Sequence, residues 1–207
     1  MPLTEQARYT FSDSDNYRTT QLTRLLSEEL KFDMNARMSL ITSESPDYPL
    51  FAEKLFDFFS TAASSKYSDR TMMQLRRWGK RFDGTTPDER RNSSDANMAN
   101  YPAGFVVESP FGWNPDTEIK HGGILGMYVM LPTDEGEYRG VLAVPASFRR
   151  RGIASALLNS ESHYWHSRVA LFAHSNNFAA AGLAAKCNLS AIQINSQSQV
   201  VQYQRVV

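Results

Sequence analysis

Residues 141–158 read VLAVPASFRRRGIASALL, and this stretch decides the fold. Its apolar beginning predicts a strand that ends at Val144, and the apolar residues after Gly152 recur at helical spacing. Three arginines, Arg149–Arg151, and Gly152 follow the strand and open the predicted helix. A helix N-terminus presents backbone N–H groups and a partial positive charge. Together with the arginines, it predicts a site for a phosphate-bearing ligand.

Strand and helix patterns alternate on both sides of this stretch. Short apolar runs bounded by glycine, proline and polar residues predict strands, and longer runs with apolar residues three and four apart predict helices. After residue 100, the predicted strands are 105–108, 124–131, 137–144, 169–173, 190–195 and 200–206, and the predicted helices are 149–165 and 176–186. The second of these helices is followed by Asn188, a residue type that tolerates a left-handed C-cap.

The first hundred residues are mainly helical in pattern. The predicted elements there are a strand at 8–11, a helix through Leu22, Leu25, Leu26 and Leu30, helices around 50–59 and 69–81, and a polar, mobile loop at 83–100. This order predicts an α/β protein in which helices cover a mixed sheet. We expect a single domain over 1–207, with 45–100 as a helical insertion and loop within it.

The composition narrows the class of protein. The 207 residues suit one domain with a sizeable core. The 22 basic and 22 acidic residues give a net charge of zero, which disfavours nucleic acid as a partner. The single cysteine, Cys187, excludes an intrachain disulfide and fits a reducing compartment. Because no signal core and no run of roughly 18 apolar residues is found, we expect a cytoplasmic protein that contacts no membrane.

Two motifs carry a resemblance to a known family. The pattern Arg149-x-x-Gly152-x-Ala154 resembles the (Gln/Arg)-x-x-Gly-x-(Gly/Ala) motif of the GCN5-related N-acetyltransferases (GNAT). The segment 177–183, NFAAAGL, with Lys186 after it, is similar to a second motif of that family. The resemblance implies a mixed, mostly antiparallel sheet flanked by helices, in which the fourth and fifth strands splay apart.

The resemblance also implies acetyl-coenzyme A as the cofactor. Amides from Arg150 to Ala154 would hold its pyrophosphate, and Gly152 has no side chain to keep a phosphate away from the backbone. The open edge of the fourth strand would pair with the peptide-like pantetheine arm. No third ligand accompanies His163 and His166, so we predict no metal site. The predicted coenzyme A residues are Leu142, Ala143, Val144, Arg149, Arg150, Arg151, Gly152, Ile153, Ala154, Ser155, Asn177, Ala180 and Leu183.

Acetyl transfer to an amine requires a base for the amine proton and a donor that polarises the thioester carbonyl. Glu137, which begins the fourth strand, and His174, which ends the fifth, are the predicted catalytic residues. The plainer interpretation of Glu137 is a solvated turn carboxylate, and that of His174 is a polar residue at the end of a strand. The amide of Val144 is the predicted carbonyl donor. The family's usual tyrosine proton donor falls at Ala184, which cannot donate a proton, and we expect that position to accept a tyrosine.

The sequence therefore predicts an acetyl-coenzyme A-dependent N-acetyltransferase whose acceptor is a primary amine of a small molecule or a protein. The acidic region 108–137 favours a cationic acceptor. The alternative is a catalytically impaired protein of the same fold that serves as a binding or structural subunit, which Ala184 would explain. Met, Trp, Arg and aromatic residues in 50–82 predict either helices that cover the sheet or a surface for a protein partner or a second copy.

Overall fold

A computed structural model describes most of the sheet and the helices around it. The described residues are 24, 26, 36–42, 45, 48–62, 69–81, 103–109, 123–132, 138–164, 169–195 and 199–205. Arg24 and Leu26 are helical. The predicted strand 8–11, the rest of the helix predicted through Leu30 and the predicted loop 83–100 lie outside the described residues.

Seven strands of the described residues form one sheet. They are β1 Arg37–Ile41, β2 Ala103–Glu108, β3 Ile124–Pro132, β4 Tyr138–Ala143, β5 Val169–His174, β6 Ser190–Asn195 and β7 Val200–Gln204. Their order across the sheet is β1-β2-β3-β4-β5-β7-β6. All neighbours run antiparallel except β4 and β5, which run parallel. The predicted α/β class with a mixed, mostly antiparallel sheet is confirmed. β1 is an addition to the predicted strands.

Four described helices flank the sheet. They are α1 Tyr48–Ala62, α2 Asp69–Arg81, α3 Ile153–Tyr164 and α4 Phe178–Lys186. α1, α2 and α4 agree with their predicted positions. Asn188, just after α4, has a φ of 56°, the left-handed conformation predicted for it. None of the described helices is long and apolar enough to cross a membrane.

α3 begins at Ile153, so the predicted helix start at Arg149 is wrong. Residues Ala146–Phe148 form a short 3-10 helix instead. Arg150 and Gly152 then have φ values of 65° and 99°. An α-helix contains residues with φ near −60°, so neither residue can belong to one. Residues 149–152 therefore form a tight turn between β4 and α3.

Helices bury both faces of the sheet. We call the two sides the α1 face, covered by α1 and α2, and the α3 face, covered by α3 and α4. Large buried side chains of the core on the α1 face include Tyr48, Phe51, Leu55, Phe59, Leu75, Val129 and Val141. Those of the core on the α3 face include Phe105, Tyr128, Met130, Phe148, Ile153, Leu157 and Leu171. The sheet is thus the middle layer, and any ligand that enters between its strands reaches both faces.

Three of the four aromatic side chains that the structure describes in 50–82 lie inside the protein. Phe51, Phe58 and Phe59 are 3% exposed or less. α1 therefore covers the sheet, as one of the two interpretations expected. Met73 on α2 is 71% exposed. Binding of a partner or a second copy through 50–82 remains a prediction. Of the described apolar residues in 50–82, the exposed Met73 supports it.

Candidate active site

β4 and β5 pair over only part of their length. The pairing joins Tyr138–Gly140 to Val169–Leu171 and ends there. Beyond this point β4 continues beside β3 through Val141–Ala143, while β5 continues beside β7 through Phe172–His174. The two halves of the sheet therefore separate, and a gap opens between neighbouring strands as the resemblance implies.

A cavity of about 1210 Å³ occupies this gap. Its walls come from the separated segments of β4 and β5, the turn before α3, the first turn of α3 and part of α4. All the predicted coenzyme A residues line the cavity except Arg151, and His174 lines it as well. The fold therefore brings the segments 142–155 and 174–183 to one place.

The turn before α3 directs backbone N–H groups to one side. The φ angle is positive at Arg150, negative at Arg151 and positive at Gly152. Such alternation is typical of the concave backbone nests that bind anions. The first hydrogen bond of α3 is donated by the Ala156 N–H to the Gly152 carbonyl over 3.0 Å. The N–H groups of 153–155 precede that bond and have no acceptor within the helix, so this end of the cavity favours an anion.

Arg149 fastens the turn to the neighbouring elements. Its Nε donates a 3.0 Å hydrogen bond to the Val144 carbonyl. Its Nη2 donates a 3.2 Å hydrogen bond to the Ala62 carbonyl, at the end of α1. Because both acceptors are backbone groups of other elements, the guanidinium of Arg149 holds the end of β4 against α1.

Other cations supply the positive charge at the cavity wall. Arg151 lies with its Cζ 5.7 Å from the centroid of the Phe148 ring and is not among the lining residues. Arg150 is exposed and lines the cavity. Lys186 also lines it, and its Nζ donates a 3.0 Å hydrogen bond to Ser155 Oγ. Lys186 was not predicted as a site residue, although its position one helical turn after Leu183 indicated the same side of α4.

Asn177 has a structural role at the start of α4. Its side-chain oxygen accepts a 3.1 Å hydrogen bond from the Ala180 N–H, which makes it the N-cap of the helix. The cap fixes where α4 begins. α4 thereby presents Ala180 and Leu183 to the cavity.

His174 is the predicted catalytic residue that the structure places at the cavity. It ends β5, is exposed and lies on the same face of the strand as Phe172. Glu137 lies outside the described residues. Ala184 is fully buried and does not line the cavity. This burial disfavours a tyrosine at position 184, because a larger side chain overpacks a filled core.

The described lining is basic. It contains Arg139, Arg149, Arg150 and Lys186, and no Asp or Glu occurs among the lining residues that the structure describes. Glu108, from the acidic region 108–137, is 3% exposed and does not line the cavity. The other acidic residues of that region lie outside the described residues. The described walls therefore give no support to the predicted preference for a cationic acceptor.

Comparison with known proteins identifies the fold of this chain. No family model matches the sequence, and no curated protein matches it. A solved structure described as a GnaT-family acetyltransferase from Bordetella pertussis is similar, with 13% identity, a TM-score of 0.50, and coverage of 86% of this chain and 99% of that one. An acetyltransferase of the GNAT family from Streptococcus pneumoniae has 11% identity, a TM-score of 0.51, and coverage of 82% and 99%.

RimL, a ribosomal L7/L12 alpha-N-protein acetyltransferase in complex with coenzyme A, is similar to a comparable degree. It shows 11% identity, a TM-score of 0.50, and coverage of 86% of this chain and 97% of that one. Identities this low concern the fold alone. Together with the parted β4 and β5 strands, they show that this chain has the GNAT fold.

Proposed function

We propose that this protein transfers an acetyl group from acetyl-coenzyme A to an amine. The observation that carries the proposal is the cavity between the parted ends of β4 and β5, which meets the N-terminus of α3. A cofactor with phosphates at one end and a peptide-like arm at the other fits both features. The GNAT fold of the chain agrees with this function.

The residues present fit coenzyme A at each part of the cavity. The amides of 152–155, with Arg150 and Lys186, would hold the phosphates. The edge of β4 at Leu142–Val144 has left β5 and would offer backbone hydrogen bonds to the pantetheine arm. When bound, the cofactor supplies an acetyl group activated as a thioester. The cavity of about 1210 Å³ also reaches His174 on β5 and Gln202 on β7, beyond the free edge of β4.

The chain's own residues would handle the protons and the carbonyl. In the reaction, the bond from the amine nitrogen to the acetyl carbon forms and the carbon–sulfur bond breaks. His174 accepts the proton that the amine loses, and the Val144 amide donates to the carbonyl oxygen. Ala184 has no proton to give, so water would have to protonate the leaving thiolate. Glu137 remains the second predicted base.

One observation favours a second candidate function. Because Ala184 removes the proton donor that the resemblance leads us to expect, the chain could retain the fold and bind coenzyme A without transferring the acetyl group. Such a protein would serve as a binding subunit of a larger assembly. Binding and turnover must therefore be measured separately.

Calorimetry with coenzyme A, followed by a thiol-release assay with acetyl-coenzyme A and a mixture of amines, separates these functions. The only cysteine, Cys187, is 1% exposed, so the protein itself adds little signal to a thiol reagent. Binding together with amine-dependent thiol release supports the transferase. Binding without release supports the subunit. Absence of coenzyme A binding contradicts the transferase and favours a purely structural subunit.

A further inference from the structure

Arg139 stands where the gap in the sheet begins. It precedes Gly140, the last residue of β4 that pairs with β5. Its side chain is half-buried and lines the cavity, with its Cζ 5.0 Å from the centroid of the Phe172 ring. The guanidinium therefore lies over an aromatic ring at the inner end of the gap, an arrangement typical of arginine.

One guanidinium nitrogen of Arg139 has no hydrogen-bond partner in the described part of the protein. This nitrogen, Nε, is buried. A guanidinium carries five N–H donors, and burying such a group without an acceptor is unfavourable. The contact with the Phe172 ring offsets part of that cost but accepts none of these hydrogen bonds. The rest of the half-buried side chain lines the cavity, so an anion there would contact the guanidinium.

Arg139 lies on the other face of the sheet from the proposed phosphate site. On β4 it shares a face with Val141 and Ala143, which pack in the core of the α1 face. Thr71 of α2 lines the cavity on that side. The N-terminus of α3, by contrast, lies on the α3 face. Phosphates held there do not account for Arg139, so its partner belongs to the other end of the cavity.

The residues around Arg139 form a small site on the α1 face. Phe172 and His174 are two apart on β5, and Gln202 is the register partner of Phe172 on β7, so all three share this face. The site contains an imidazole, an aromatic ring, an amide and a guanidinium, and it contains no carboxylate among the described lining residues. These groups suit a ligand with a negative charge.

We infer that the acceptor is an amine that also carries a carboxylate, and that Arg139 binds the carboxylate. The inference rests on the proposed function, because it places the acceptor opposite coenzyme A. The planar fork of arginine matches the two oxygens of a carboxylate. With the carboxylate on Arg139, the amine of the same molecule is directed along the gap toward His174 and the unpaired edge of β4.

Binding to the coenzyme A complex tests this without turnover, because free coenzyme A carries no acetyl group. The protein is first titrated with coenzyme A. It is then saturated with coenzyme A and titrated with glycine, β-alanine and γ-aminobutyrate. Each amino acid is compared with its carboxamide, and spermidine is titrated as a cationic amine. At least one amino acid is expected to bind about tenfold or more tightly than its carboxamide, the usual effect of a charge-assisted hydrogen bond.

Two variants assign the preference to Arg139. Arg139→Gln is expected to reduce it to about twofold or less while the coenzyme A affinity is unchanged, and Arg139→Lys, which keeps the charge, is expected to retain part of it. Arg205→Gln is the matched control. Arg205 also has a buried nitrogen without a hydrogen bond among the described residues, but it does not line the cavity. Its replacement should leave the preference intact.

The failures of the two proposals are distinguishable. If coenzyme A binds and the carboxamides or spermidine bind as tightly as the amino acids, the carboxylate inference is overturned and the proposed function stands. A preference that survives Arg139→Gln also overturns the inference. If wild-type protein does not bind coenzyme A, the proposed function fails and the inference fails with it.

Discussion

The hydroxyl of Tyr128 occupies the space that a side chain at position 140 would need. A Cβ built on Gly140 would lie 2.5 Å from that oxygen and 2.9 Å from Cε2 of the same ring. Tyr128 is 1% exposed on β3, and Gly140 is the last residue of β4 that pairs with β5. The absence of a side chain on β4 therefore lets the ring pack where the sheet begins to part.

Gly140→Ala is expected to destabilise the protein by about 1–3 kcal/mol, because the new methyl group overpacks a filled core. Urea unfolding measures the change. Tyr128→Phe removes the oxygen, so Gly140→Ala should cost less in that background, and the double-mutant cycle should show coupling. If the two changes in the free energy of unfolding are strictly additive, the Tyr128 hydroxyl does not contact position 140.

Arg149→Gln is expected to lower the free energy of unfolding by about 1–2 kcal/mol, because it removes two hydrogen bonds to the Val144 and Ala62 carbonyls. Arg150→Gln is the matched control from the same turn. It should leave the unfolding midpoint unchanged and weaken coenzyme A binding in calorimetry. Equal unfolding midpoints for the two variants would show that Arg149 does not hold the turn.

His174→Gln is expected to lower kcat for amine acetylation by about a hundredfold, the usual effect of removing a general base. Because His174 lies away from the α3 N-terminus, the affinity for coenzyme A should not change. Glu137→Gln, measured in parallel, tests the second predicted base. An unchanged kcat in His174→Gln together with a lower kcat in Glu137→Gln would show that Glu137, and not His174, is the general base.

Ala184→Tyr is expected to lower stability by about 1–3 kcal/mol, because Ala184 is fully buried. Ala185→Tyr is the control, since Ala185 is the neighbouring residue of α4 and is exposed. It should change stability by less than about 0.5 kcal/mol. Thermal unfolding of both variants measures the difference. Equal melting temperatures would show that the core has room at position 184.

Local sequence patterns were sufficient to predict the elements that surround the cavity. A strand followed by arginines, a glycine and an amphipathic run predicted β4 and α3, because each signal lies within a few residues of the next. The helix predicted at 176–186 corresponds to α4, although the capping role of Asn177 was found only in the structure. These three elements line the cavity.

Features that depend on distant pairing were not predicted. β1 has only five residues, RMSLI, and becomes a strand by pairing with β2, which begins at Ala103. The start of α3 was missed for a local reason. It depends on the positive φ of Arg150, a conformation that residues other than glycine rarely adopt. Arg139 joins the site because β5 pairs with β4 as far as Gly140 and then departs. No pattern within β4 records where that departure occurs.

Coenzyme A binding to the turn at Gly152 is the central claim, and one calorimetric comparison tests it most directly. Gly152→Glu places bulk and negative charge against the predicted phosphate position, and Gly152→Ala introduces the same strain at a φ of 99° without the charge. We predict that wild-type protein binds coenzyme A, that Gly152→Ala keeps part of the affinity, and that Gly152→Glu loses it. Coenzyme A binding to Gly152→Glu with wild-type affinity would contradict the claim.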